Sequence, residues 1–284
     1  MHPAILITII SIGVIALLVL AIQLLRFYML KPGNRNSEME KYKNVKFAHR
    51  GLHDGERAEN SLSAFSAAKA AGFGIEFDLR LSADGVLVVH HDATLSRSCG
   101  IDRRVVDMTR EELSALSLFG TSDGVPTFAE LLKLVDGAIP MLIELKQAHG
   151  ESGVAEAFLR EIEGYTGEFI VESFNPGVLR KVKKARPDIL IGILSYNYSS
   201  EERFRGKILF KLLEKLYLNF LMRPDFIAYE KGGFDTYTLR YIRRKFNTPL
   251  IAWTVRSESE QIKALGDGFD TVIFENYIPG DKEG

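Results

Sequence analysis

Residues 74–92 read GIEFDLRLSADGVLVVHHD, and the alternation within them decides the architecture. In the run Gly74–Leu79, Glu76 and Asp78 stand at i and i+2, so a strand sends both carboxylates to one face and Ile75 and Phe77 to the other. Ser82-Ala83-Asp84-Gly85 follows, too short for a helical crossover, so Val86–His91 is expected to return as the second arm of a hairpin. With Ile75 and Phe77 outward, the acidic face becomes the interior of a closed barrel. The returning arm then brings His90, His91 and Asp92 to the mouth, where barrel enzymes keep their chemistry.

Outward from this stretch the same rhythm continues. Strand-like runs are expected at Val45–His49, Met141–Lys146, Phe169–Ser173, Ile189–Leu194, Phe226–Glu230, Leu250–Thr254 and Thr271–Glu275, making eight with Gly74–Leu79. Helical patterns lie between them at Ser61–Ala71, Thr127–Val135, Val154–Ile162, Pro176–Ala185, Lys207–Met222, Thr236–Phe246 and Glu258–Leu265. This is the size and order of an α/β chain folded as a parallel (β/α)8 TIM barrel, with a doubly wound open sheet as the alternative. No G-x-G-x-x-G or G-x-x-x-x-G-K-[ST] follows a strand, which removes the dinucleotide and P-loop readings.

Composition narrows the class further. With 46% hydrophobic and 26% charged residues the chain is not disordered. Lys plus Arg number 36 against 37 Asp plus Glu, so nothing in the net charge of −1 attracts nucleic acid. The one cysteine, Cys99, excludes an intramolecular disulfide framework and a cysteine-rich metal site. Ala4–Leu25 carries no charge and at about 1.5 Å per residue crosses roughly 30 Å of hydrocarbon, which reads as an uncleaved, single-pass membrane anchor. Arg26, Lys31 and Arg35 follow it and no Lys or Arg precedes it, so the globular part is expected in the cytoplasm. The division expected is an anchor to residue 25, a linker over residues 26–42 and a barrel domain over 43–284.

The chemistry-bearing residues cluster at strand ends. Glu144 and Lys146 repeat the i, i+2 spacing on the strand after the hairpin, and Glu76, Asp78 and Glu144 together offer three hard oxygen ligands suited to Mg²⁺ or Ca²⁺. A structural Glu-Lys pair without metal is the plainer reading. His49 ends the first strand, and with His91 across the mouth it makes a candidate acid/base couple. Arg50 supplies a forked cation and Lys146 a point charge for a phosphate. His90 faces away from His91. Trp253 is a candidate substrate contact, whereas the inward or outward direction of Glu172, Tyr229 and Glu230 is open by one residue.

The ordered strings Phe47-Ala48-His49-Arg50-Gly51, Glu59-Asn60-Ser61, Glu76-Phe77-Asp78, Asp84-Gly85, Val88-Val89-His90-His91-Asp92 with Leu95 and Arg97, Ile143–Lys146, Ser173-Phe174-Asn175 and Trp253-Thr254-Val255 closely resemble the glycerophosphodiester phosphodiesterase family. The resemblance spans nearly all of Lys43–Tyr277. It implies a catalytic pair His49 and His91, metal ligands Glu76, Asp78 and Glu144, phosphate contacts Arg50 and Lys146, and supporting roles for Glu59 and Asn60. It also implies that Ala93–Pro126 is a small lid-like insertion. In one place the chain departs from the pattern: the family's last strand ends in Thr-Asp, and here Phe274-Glu275-Asn276-Tyr277 leaves Glu275 or Asn276 in the aspartate's place.

The activity expected is metal-dependent hydrolysis of glycerophosphodiesters to sn-glycerol 3-phosphate and an alcohol, in lipid and glycerol metabolism. Lys207–Met222 reads as a basic amphipathic helix that packs on the barrel or lies on the membrane. The membrane-lying case favours a lysophospholipase D. A non-catalytic, membrane-tethered binding barrel is the third reading.

Overall fold

The computed structural model describes residues 3–280 apart from 149, 234 and 235. Strand β1 (Phe47–His49) pairs in parallel with β2 (Gly74–Leu81), and β3 (Leu87–Val89) returns antiparallel to β2 as the hairpin partner. The parallel set continues through β4 (Met141–Leu145), β5 (Phe169–Ser173), β6 (Ile191–Ser195), β7 (Phe226–Glu230), β8 (Leu250–Val255) and β9 (Thr271–Phe274). Pairing of β9 with β1 closes eight parallel strands into a (β/α)8 barrel. Closure removes the open sheet from consideration and fixes which side chains point inward.

Register carries the site. His49 lies opposite Glu76, Asp78 opposite Glu144, and Glu144 opposite Glu172, so one inward-facing band runs from β1 to β5. Outward residues Ile75, Phe77, Ile143 and Val171 are sealed under helices that contribute Phe65, Phe128 and Phe158. Burial of each such ring contributes about 1.5–3 kcal/mol. The barrel floor is apolar, built from Phe47, Leu142, Ile170, Phe226, Ile251 and Ile273. At Gly192 a Cβ would stand 2.1 Å from the Phe226 ring, so only glycine leaves that ring its place in the floor.

Two segments differ from the sequence expectation. In the stretch expected as a linker, residues 26–42, Met39 and Tyr42 are buried against the floor, closing the barrel from below. Arg35 fastens this plug by donating to the carbonyls of Pro187 and Asp188 at 2.8 and 2.7 Å. The continuous helix expected over 207–222 is also broken. A helix Ile208–Glu214 ends with Leu216 in the left-handed region (φ 59), its N–H donating to Leu213 and that of Tyr217 to Leu212. That paired closure terminates a helix, and a short 3₁₀ turn, Asn219–Leu221, carries the chain down to β7.

The N-terminal helix Pro3–Leu30 is longer than the span read from hydropathy, 28 residues against 22. It is one helix long and apolar enough to cross a membrane. Its end docks on the barrel's flank: Phe27 packs on Phe246 with ring centroids 5.3 Å apart, and the Asn219 amide donates to the Leu30 carbonyl at 3.2 Å. Residues 93–126 fold over the hairpin with a core of their own, Leu95, Val105, Met108, Leu113, Leu118 and Val125 against Val88 and Ala58.

Candidate active site

The end of β1 is shaped so that two side chains face the mouth together. Arg50 takes a left-handed backbone (φ 56), and Gly51 follows at φ 82, where an added Cβ would lie 2.8 Å from the Ala64 backbone. Non-glycine residues held this way concentrate at functional sites. The turn leaves His49 pointing into the barrel and swings the Arg50 guanidinium over Asp78, with Nε 3.4 Å from Oδ2. Arg50 Nη1 also donates to Glu59 at 2.8 Å, and the Asn60 amide donates to Asp78 at 2.8 Å.

Beneath them lie the carboxylates. Glu76, Asp78 and Glu144 are buried, and each presents an oxygen within 4.8 Å of the others. Lys146 Nζ sits 3.0 Å from Asp78 and 2.8 Å from Glu144. Burial and the neighbouring Asp78 and Glu144 charges push Glu76 well above the carboxylate range. Burial likewise raises Glu144, with Lys146 opposing it. For Asp78 burial is outweighed by Lys146, His91 and Arg50, which hold it well below that range. Three carboxyls buried this close repel one another unless a proton or a cation lies between them. A divalent cation among these oxygens would relieve the repulsion, and a hard, all-oxygen donor set suits one.

Each histidine has its own carboxylate. His49 Nδ1 lies 3.2 Å from Glu275 Oε2, and because a carboxylate only accepts, Nδ1 carries the proton and Nε2 keeps a free lone pair on the Glu76 side. Burial lowers the His49 imidazole to about 4, with Glu275 opposing that shift, so the ring is neutral at pH 7. The hydrogen bond from His49, with Arg256 beyond it, holds Glu275 down to about 2. His91 is half-buried, with Nδ1 2.7 Å from Asp92 Oδ1. Arg97 ties the two halves of the mouth together, donating to Asp92 at 2.6 Å and to both oxygens of Glu59 at 2.6 and 3.0 Å.

His49, Arg50, Glu59, Asn60, Glu76, Asp78, Glu144 and Lys146 thus form one connected network, with His91 on its rim. Trp253 is not in it. Its ring belongs to an aromatic wall with Phe174 and Tyr196, at centroid distances of 5.6 and 6.1 Å, and Phe174 in turn lies 5.9 Å from Lys146 Nζ. His90 is buried behind the mouth, its ring nitrogens bonded to Ser98 Oγ and the Asp92 carbonyl, each at 2.8 Å.

Of the two residues left open at the end of β9, it is Glu275 that meets His49, while Asn276 takes a left-handed turn conformation (φ 65). His53, 3.6 Å from Glu275, and Arg256, 3.0 Å from it, carry no motif that sequence reading could have caught. Glu172 proves to point inward and is buried, and its carboxyl is pushed well above the usual range by burial and then by Glu76 and Glu144. Its register, invisible in sequence, needed the β4–β5 pairing.

Residues 49–277 match the model of the glycerophosphoryl diester phosphodiesterase family. A glycerophosphodiester phosphodiesterase of Caldanaerobacter subterraneus is 30% identical over 247 residues, covering 81% of this chain and 93% of that protein. The crystal structure of a glycerophosphodiester phosphodiesterase from Thermotoga maritima, 28% identical, superposes with a TM-score of 0.63 over 81% of this chain and 93% of that one. An Oleispira antarctica phosphodiesterase in complex with the product sn-glycerol-3-phosphate, 23% identical, shares the fold at a TM-score of 0.68 over 82% and 94%. With family match, relative and barrel in agreement, the chain belongs to the glycerophosphoryl diester phosphodiesterase family and is an enzyme that hydrolyses glycerophosphodiesters.

Proposed function

We propose that this enzyme cleaves small glycerophosphodiesters to sn-glycerol 3-phosphate and an alcohol, in lipid and glycerol metabolism, with Mg²⁺ or Ca²⁺ held by Glu76, Asp78 and Glu144. The observation that carries this reading is the buried three-carboxylate cluster flanked by two histidines, each with its own carboxylate. The cation, when bound, neutralises charge building on the phosphoryl oxygens. Arg50 and Lys146 hold the phosphate, and Trp253 lines the approach. His49, neutral and with Nε2 free, takes the proton from the attacking oxygen, and Glu275 steadies the imidazolium that forms. His91 gives a proton to the departing alcohol, with Asp92 holding its ring. Pro3–Leu30 anchors the enzyme in the membrane, with the barrel on the cytoplasmic side. The test is turnover of glycerophosphocholine by the purified full chain before and after EDTA, with either cation added back.

One observation favours a second substrate class at the same site. A groove of about 700 Å³ begins at Glu144 and Lys146 and runs past Phe174 to Leu209, Leu213, Leu218 and Leu221. Its far wall adjoins the turn on which the N-terminal helix docks, and Ile208 and Leu209 are left 77% and 54% exposed beside it. A groove of this size and lining offers room for a monoacyl chain with its headgroup phosphodiester at the carboxylates, the substrate of a lysophospholipase D. Leu213→Glu separates the two: it lowers kcat/KM for lysophosphatidylcholine at least tenfold and spares glycerophosphocholine, and equal effects on both remove the lipid reading.

A further inference from the structure

Glu172 is buried beside the acid cluster, in register with Glu144. The side chain is 1% exposed, and its Oε2 is sealed from solvent with no hydrogen-bond donor among the described residues. On one side it is in register with Glu144, on the other with Gly192, which has no side chain to offer. The cation nearest to this ring of acids, Lys146, is already committed to Asp78 and Glu144. The Ser173 hydroxyl next in sequence donates to the Leu145 carbonyl at 2.7 Å. A buried carboxylate without donors is expensive, and natural sites resolve that by protonating it, by pairing it or by giving it to a metal.

Glu76, Asp78 and Glu144 already bring oxygens within 4.8 Å of one another, and Glu172 is the next inward acid on the same band, in register with Glu144. We infer that Glu172 supplies a fourth carboxylate to the cation held by Glu76, Asp78 and Glu144. The inference rests on the cation reading above and extends it, because a fourth carboxylate favours Ca²⁺, which takes six to eight oxygens, over the six-coordinate and more exacting Mg²⁺.

The test is calorimetric titration of the chelator-treated full chain in detergent micelles with CaCl₂ and MgCl₂, comparing wild type with the nearly isosteric Glu172→Gln. The Glu172→Gln substitution is expected to weaken Ca²⁺ binding at least tenfold and Mg²⁺ binding less, with unchanged circular dichroism and a metal-free Tm no lower than wild type. Affinities within twofold of wild type for both ions overturn the inference. If Glu172→Gln does not fold, Glu172→Asp, which keeps the charge and shortens the arm, decides by the same thresholds. Wild type that binds neither ion is a separate result, which removes the cation reading itself.

Discussion

His49 and Glu275 meet across the seam where the first and last strands close the barrel, Nδ1 to Oε2 at 3.2 Å. The contact exists only because β9 pairs with β1, so closure of the fold and orientation of the His49 ring are one event. Glu275→Gln keeps a hydrogen-bonding group of the same shape but removes the charge that steadies the imidazolium. A loss in kcat of about 10²-fold is expected, within the range for general acid–base groups, with little change in KM. Glu275→Asp keeps the charge on a shorter arm and is expected to keep activity within tenfold of wild type.

pH dependence follows from the same residue. His49 is held at about 4 in the folded chain, against about 6.5 in an unfolded one. Between those values the unfolded state binds more protons, so stability falls as pH drops from about 6.5 toward 4. His90, lowered by burial, adds in the same direction. Thermal melts of the metal-free protein at stepped pH are expected to show Tm falling across that window, less steeply in His49→Asn. The acid limb of kcat/KM is expected well below pH 6.5, and a limb at 6.5 or above contradicts His49 as a buried neutral base.

Lys146→Met leaves Asp78 and Glu144 buried without their shared counter-charge. Removing one member of such a cluster typically costs about 3–5 kcal/mol. The expected result is a large drop in metal-free Tm together with loss of turnover, and recovery of part of that Tm on adding a divalent cation.

Cation binding is itself a stability measurement. A ligand at 100 times its Kd raises stability by about 2.7 kcal/mol. EDTA is expected to abolish activity and lower Tm, and Glu76→Gln to remove most of the Tm rise that Ca²⁺ or Mg²⁺ produces. An EDTA-insensitive Tm in wild type contradicts the carboxylate cluster as a cation site.

Much of this was legible along the chain because strand parity is a short-range rule. Glu76 with Asp78, and Glu144 with Lys146, reveal their common face by spacing alone, and the four-residue Ser82–Gly85 turn forces a hairpin. What escaped depends on contacts between distant segments. The inward turn of Glu172 follows from pairing with β4, and the choice of Glu275 over Asn276 from the β1–β9 seam. The plug of Met39 and Tyr42 looked like linker because its polar neighbours hide two anchor residues. The break at Leu216 escaped because apolar periodicity runs straight through it, and a leucine in the left-handed region gives no signal in sequence.

The most direct test is product analysis. Purified full chain in detergent, given glycerophosphocholine and Mg²⁺ or Ca²⁺, is expected to release sn-glycerol 3-phosphate and choline, with turnover lost in EDTA and in His49→Ala and His91→Ala variants that remain folded. Release of phosphocholine instead, or no turnover by a folded, cation-loaded enzyme, contradicts the account.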